Sequence, residues 1–355
     1  MVATAAVREA TNGKELVSRA AKMGIRVEIL DGVTEAYIAG LGILSEHSDG
    51  DGYVADPSAD ARVEAERLGT AAVATTAEML EWRPDAIYVA TPNSRHLAPI
   101  IEATRAGIAI LCEKPMAATL DDAEAIANVA GSVIYGTAFD QRHHPAHRAI
   151  RAEIASGAIG QVTAVRINYA CWVDSRWRSP GSGPDQANWR ADPVAAGGGA
   201  VMDLALHGLD LAQMLLGEPL ARLHIDLQRR VHDYAVDDGG MLSGRFANGA
   251  LFQSHVAYNC PESLPRRRLE IIGDRGGIVA LDTMGQSAGG SAMLTCGRSG
   301  IVRSIAFDEN RSPFEAQATA FAAAVQGEPH DFSLNRDLTL MRLFAGAHDR
   351  AVLCL

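Results

Sequence analysis

AIYVATPN, residues 86–93, and IAILCEKP, residues 108–115, decide the fold. Each is a short apolar run that stops at polar residues and a proline, and the stretch between them, His96 to Ala106, carries apolar side chains at intervals of three and four. Short apolar runs read as buried strands and the 3–4 spacing as an amphipathic helix, so the order is strand, helix, strand. That is a βαβ unit, which builds a parallel sheet covered by helices. The alternation extends outward. Ile25 to Leu30, Tyr53 to Ala55 and Val133 to Thr137 are predicted as further strands, Ala59 to Leu68 and Asp121 to Ala130 as helices, and a glycine follows each of the three helices as a stop signal. The result is a doubly wound α/β domain.

After Pro145 the pattern changes. A helix is predicted to about Ser156 and an alternating strand from Val162 to Val173, while Trp177 to Gly198 reads as a long loop rich in Gly, Pro and Ser. Ala200 to Leu216 is a strongly apolar helix. Met241 to Phe246 and Leu251 to Tyr258 flank Asn248-Gly249, a hairpin signal because both residues tolerate positive φ. Arg268 to Ile272 and Gly277 to Leu281 give a further pair, and Pro313 to Val325 and Asp337 to Val352 close the chain as helices. This half is expected to be α+β, a large open, mainly antiparallel sheet with helices on one face. The expected boundaries are 1–145, with a helical extension over 1–24, and 146–355 for binding substrate and building oligomers.

At 355 residues the chain exceeds one ordinary core, which predicts about two domains and a cleft between them. No uninterrupted apolar run approaches the roughly 20 residues that cross a bilayer, and Met1 to Gly24 carries six charged residues instead of a secretory core. Five cysteines without a C-x-x-C pair suit a reducing cytoplasm. A formal charge of −11 argues against nucleic acid or an anionic membrane as partner. Lysine occurs only at positions 14, 22 and 114, in a chain that otherwise uses arginine. An internal lysine in that setting suggests a compact ammonium with a tunable pKa, which singles out Lys114.

Open parallel sheets bind ligands beyond the carboxyl ends of their strands, where Thr91-Pro92-Asn93 and Glu113-Lys114-Pro115 sit. The phosphate-binding turn after the first strand reads Asp31-Gly32-Val33-Thr34-Glu35-Ala36, with one glycine in place of G-x-G-x-x-G, and Gly32 is the preferred candidate over Gly40-Leu41-Gly42. Asp56, at the end of the next strand, is placed either to bind a ribose hydroxyl, favouring NAD over NADP, or to cap the helix that begins near Ser58.

The chain resembles the Gfo/Idh/MocA oxidoreductase family through ATPNSRH, LCEKPMA, RHHPAHRAIRAEIASGAIGQV, NWRADP and GGGAVMDLALHGLDLAQMLLG, between Asp85 and Gly217. Weaker similarity continues through RFANGAL, RLEIIGDRGGI and the closing helices. The resemblance implies a Rossmann domain, a second α/β domain whose open sheet builds dimers or tetramers, and a nicotinamide cofactor, NAD or NADP, held by the strand-end residues and His96. It implies that Lys114 contacts substrate and cofactor and that Asp203 and His207 are catalytic. These two are four apart on a predicted helix and so share a face, which Asp210 extends. His207 is the expected general acid/base, Lys114 stabilises charge developing on the substrate oxygen, and Asp203 orients the lysine or a neighbouring hydroxyl. Trp172, Arg176, Trp177, Arg178, Trp189 and Arg190 offer indole faces and guanidinium groups suited to sugar rings. No third ligand accompanies Asp203 and His207, so no metal is expected, and His144, before Pro145, starts a helix. The function expected is dehydrogenation or keto-reduction of a sugar, sugar derivative or cyclitol; the alternatives are a silent dinucleotide or sugar sensor, and an enzyme that eliminates or epimerises glycosides through transient oxidation.

Overall fold

The computed structural model describes residues 2–3, 28–29, 53–67, 70–174, 177 and 188–354. Two compact units emerge, residues 1–79 with 178–187 and residues 80–177 with 188–355. In the first, β1 (Val2–Ala3) pairs in parallel with β2 (Glu28–Ile29). The rest of the expected extension lies outside the described residues, as do Gly32 and the whole predicted phosphate turn. In the same unit, β3 (Tyr53–Ala55), α1 (Ala59–Arg67) and β4 (Ala71–Val73) form a βαβ unit with a parallel β3–β4 pair.

The second unit begins its sheet work with β5 (Ala86–Val89), α2 (Leu97–Arg105), β6 (Ala109–Cys112), α3 (Leu120–Ala130) and β7 (Tyr135–Thr137). The strands are parallel, in the order β5-β6-β7. All four residues of β6 are buried, which is why the segment reads as an unbroken apolar run rather than an alternation. Thr119 caps α3 by accepting from Asp122 N, and Pro145 occupies the first turn of α4 (Pro145–Ala155), whose N-cap His144 accepts from Ala146 N through Nδ1 at 3.1 Å.

Nine strands form the second sheet of this unit. In chain order they are β8 (Val162–Ala170), β9 (Leu220–Gln228), β10 (Gly239–Phe246), β11 (Leu251–Ala257), β12 (Arg267–Gly273), β13 (Gly276–Leu281), β14 (Ser291–Cys296), β15 (Val302–Ser304) and β16 (Leu353–Cys354). Across the sheet they lie β15-β14-β13-β12-β8-β11-β10-β9-β16. Most pairs are antiparallel, but β8–β11 and β9–β16 are parallel, so the sheet is mixed. The hairpin at Asn248-Gly249 closes with only Gly249 at positive φ (94°), Gly249 N bonding Phe246 O at 3.0 Å. Residues 247–249 thus make a three-residue loop with glycine in the left-handed position.

One face of this sheet is covered by α5 (Leu206–Leu216), which enters through a single π-helical turn, Val201–Ala205. The helical stretch Pro193–Leu216 is long and apolar enough to cross a bilayer by composition, yet 83% of its apolar window is buried inside the protein, as a core helix is. The expected long loop before it contains short helical turns at Trp189–Ala191 and Pro193–Ala196. The chain closes with α6 (Pro313–Val325) and α7 (Leu334–His348). The last helix starts earlier than its predicted Asp337 because Ser333 Oγ accepts from Arg336 N. Phe321 and Ala324 of α6 pack with Phe332 against Ala109 and Leu111 of β6. The C-terminal helices therefore complete the core behind the strand that leads into Lys114.

Candidate active site

At the end of β5, Pro92 turns the chain and Asn93, buried, donates from Nδ2 to Ala196 O at 2.8 Å. His96 is fully buried, with Nδ1 3.3 Å from Met116 O and Nε2 3.0 Å from Thr91 O. Burial lowers its pKa, so the ring is neutral and its single N–H donates to one of these two carbonyls while the ring packs between the β5 and β6 ends. Expected among the cofactor ligands, His96 positions the two loops and presents neither nitrogen to a ligand.

At the end of β6, a cis peptide joins Lys114 to Pro115. Glu113 accepts from the Tyr88 hydroxyl through Oε1 and from Lys114 N through Oε2 at 3.1 Å. Lys114 Nζ donates to Asp203 O at 2.8 Å and to the Asp203 carboxylate. The structure brings the predicted Lys114 and Asp203 together in a partly buried ion pair. Two partners were not foreseen as a set: the Tyr258 hydroxyl donates to Asp203 Oδ2, and Arg190 Nε lies 3.6 Å from the same oxygen. Burial alone would raise the Asp203 pKa, but the Lys114 ammonium and Arg190 guanidinium outweigh it and hold the carboxyl well below its usual range. Burial and the adjacent Asp203 charge push the Tyr258 phenol up, so it stays protonated as a donor.

His207 lies beyond the π turn, nearly buried, with Nδ1 3.0 Å from Asp140 Oδ1 and its ring edge-on to Tyr169. Asp140 follows β7, is fully buried, and also accepts from Gln141 Nε2 at 2.8 Å. Burial would raise its pKa; the facing imidazole, with Lys114 further off, lowers it instead. Asp210, expected to extend the reactive face, is sequestered: Arg142 Nε contacts its two oxygens at 3.0 and 2.7 Å. It is a buried structural ion pair.

Asp203 is delivered by a glycine run that only glycine can form. A Cβ on Gly199 would stand 2.0 Å from Asp237 O, and Gly197 has φ +80° with Ala118 O 2.2 Å from its would-be Cβ. Asp237 caps the turn, accepting from Gly199 N at 2.9 Å and Val201 N at 2.8 Å. Arg190 packs its guanidinium 4.1 Å from the Trp177 ring and 4.7 Å from the Trp189 ring. A narrow crevice brings Asn93, Trp189, Arg190, Gly199, Asp203 and Tyr258 to one place. Trp172 is set apart from these contacts, paired to Asn259 and edge-on to His232. Arg176 and Arg178 lie outside the described residues. Asp56 Oδ1 accepts from Ser58 N at 2.7 Å, the turn-capping role weighed against ribose binding. Among the described residues there is no cluster of three metal-binding side chains, and His147 is spent on Gln141 O and Thr283 Oγ1.

The strand ends fit the nicotinamide end of a dinucleotide. Thr91 Oγ1 is buried at the end of β5 with no hydrogen-bond partner. An orphaned hydroxyl of that kind costs free energy until a ligand such as a carboxamide pairs with it.

Sequence models bear on the same residues. The model of the NAD-binding Rossmann-fold oxidoreductase family matches residues 49–133, and that of the GFO/IDH/MocA C-terminal domain matches residues 147–279. Residues 1–57 match a different model, that of the Ppx/GppA phosphatase family. The chain is 30% identical over 268 residues to a 1,5-anhydro-D-fructose reductase of Ensifer adhaerens, spanning 74% of this chain and 76% of that protein. It is also 30% identical over 230 residues to a levoglucosan dehydrogenase of Pseudarthrobacter phenanthrenivorans, covering 56% of this chain and 57% of the relative. A solved levoglucosan dehydrogenase in complex with NADH and levoglucosan shares the fold, with a TM-score of 0.72 at 22% identity over 84% of this chain and 86% of that one. From about residue 49 onward, then, the chain belongs to the GFO/IDH/MocA family of NAD-binding oxidoreductases.

Proposed function

We propose that the protein transfers hydride reversibly between NAD or NADP and a hydroxyl- or keto-bearing carbon of a sugar, sugar derivative or cyclitol. One observation carries this reading: Lys114 is pinned at the end of β6 by Asp203, while His207, four residues further along the same helical segment, faces Asp140. Thr91, Pro92, Asn93 and Glu113 would hold the nicotinamide. When bound, the nicotinamide accepts or delivers the hydride.

The proton chemistry belongs to the side chains. Lys114 spends two donors on Asp203 and keeps a third ammonium proton for the substrate oxygen, where it stabilises developing negative charge. His207, its Nδ1–H facing Asp140, keeps the tautomer whose Nε2 lone pair takes the hydroxyl proton. Asp203 is ionised and holds Lys114 and Tyr258 in place. Arg190 and the indoles of Trp177 and Trp189 supply the flat and charged surfaces a sugar ring needs.

The reading extends to a cytoplasmic homodimer or homotetramer formed through the open face of the large sheet, where Met241 and Leu251 are exposed; mass measurement in solution checks the assembly. For the activity, the purified protein is incubated with NAD or NADP and a panel of aldoses, ketoses and cyclitols while nicotinamide absorbance is followed. Turnover with at least one pair is expected, abolished by Lys114→Ala and by His207→Ala. Absence of turnover across the panel, or an undiminished rate in both variants, refutes the proposal.

A further inference from the structure

We propose that Arg267, at the start of β12, holds an anionic substituent of the substrate, a carboxylate or a phosphate ester, and that the substrate is therefore an acidic sugar derivative or cyclitol. This rests on the hydride-transfer reading above and narrows its substrate class.

Three consecutive arginines, Arg266-Arg267-Arg268, lie at the start of β12. Arg266 is 3.8 Å from Glu262, and Arg268 is 3.3 Å from Glu270. The middle one differs. Among the described residues no carboxylate pairs with Arg267, and its Nε is buried without a hydrogen-bond partner. The guanidinium is held by packing instead: a Cβ on Gly285 would stand 2.6 Å from its Nη1. Arg267 lies directly opposite Tyr169 of β8 in an antiparallel pair, so the two side chains share a sheet face. The Tyr169 ring is in turn edge-on to His207, with ring centroids 5.9 Å apart. The unpaired guanidinium therefore stands on the His207 face of the sheet, with Tyr169 between it and the imidazole.

The surrounding charges leave Arg267 without a counter-ion. Burial pushes the thiol of Cys171, two residues beyond Tyr169, up to about 12; the Asp203 charge adds to this, and the guanidiniums of Arg267, Arg266 and Arg190 oppose it. Arg267 and Arg190 are thus gathered with Asp203 around one part of the site. The acids there are taken. Asp203 is shared by Lys114, Arg190 and Tyr258, Asp140 faces His207 and Gln141, and Glu113 serves Tyr88 and Lys114 N. A guanidinium partly withdrawn from water without a counter-charge costs free energy. A carboxylate or phosphate recovers it through paired, charge-assisted N–H···O bonds, which a neutral hydroxyl cannot match.

Matched substrates test this. Steady-state kinetics of the full chain with NAD or NADP are compared for glucose, glucuronate and glucose 6-phosphate, for the corresponding galactose set, and for myo-inositol and its 1-phosphate. An anionic member is expected to show kcat/KM about tenfold or more above its neutral parent, and the better of carboxylate and phosphate identifies the group bound. Arg267→Met, close in length and uncharged, is expected to raise KM for that anion about ten- to hundredfold, the loss falling on KM more than on kcat. Arg267→Lys should recover part of it. Neutral sugars turned over as well as every anionic derivative overturn the inference and leave the dehydrogenase reading standing. So does a folded Arg267→Met whose KM for the anion stays within about twofold of wild type. Absence of turnover across neutral and anionic compounds alike overturns both.

Discussion

Asp140→Asn isolates the role of the carboxylate behind His207. The change is nearly isosteric, and it acts on a residue with two neighbours to satisfy: Gln141 Nε2 at 2.8 Å and His207 Nδ1 at 3.0 Å. A carboxylate accepts from both, whereas an amide has one oxygen and presents an NH2 to the other donor. One contact is lost, and the surviving one is no longer charge-assisted. Hydrogen bonds to a charged group contribute about 1.5–3 kcal/mol, so the orientation of the imidazole should loosen enough to lower kcat by roughly ten- to a hundredfold. The assay is steady-state kcat of wild type and variant, with circular dichroism as the folding control. A folded variant with kcat within twofold of wild type would refute the argument.

Tyr258→Phe removes the phenol from Asp203 but leaves Lys114 and Arg190 on that carboxylate. Steady-state kinetics should show kcat/KM reduced about tenfold, the low end for a charged hydrogen bond, with unchanged thermal stability. Gly199→Ala places a Cβ 2.0 Å from Asp237 O, so calorimetry should find destabilisation of about 1–3 kcal/mol or more. Acid should unfold the protein early, because burial holds His144 down to about 4 and His147 down to about 3. The unfolded chain then binds more protons than the native one from about pH 6.5 downward. Stability is thus retained above that pH and lost as the pH falls toward 4. Denaturant midpoints across pH 4–7 measure this, and a flat profile would contradict it.

The strands at the heart of the first sheet were legible because burial on both faces leaves an unbroken apolar signature, as in AILC at residues 109–112. Short strands such as Ala71–Val73 offer three small residues and no such signal. Leu220–Gln228 was readable but unread: Leu223, Ile225 and Leu227 are buried and alternate with exposed Arg222, His224 and Asp226. In the site, Lys114 stood out through the scarcity of lysine, and Asp203 and His207 through family motifs. Tyr258, Asp140 and Asp237 carry no local mark. Each acquires its role from a partner far along the chain, and only packing of the β11, β7 and β10 ends around the π turn brings them there. Asp210 misled for the same reason, since helical spacing alone cannot reveal that Arg142 already claims it.

The π turn at Val201–Ala205 also bears on how such a site could change over generations. A π turn holds one residue more than an α turn, and each helical residue advances the azimuth by about 100°. Single-codon insertion or deletion within this turn would therefore rotate Asp203 against His207 by a fixed step while the rest of α5 kept its packing. The angular relation between the lysine-bound carboxylate and the imidazole is in this sense quantised. Relatives could move between discrete settings of it by indel rather than by gradual substitution.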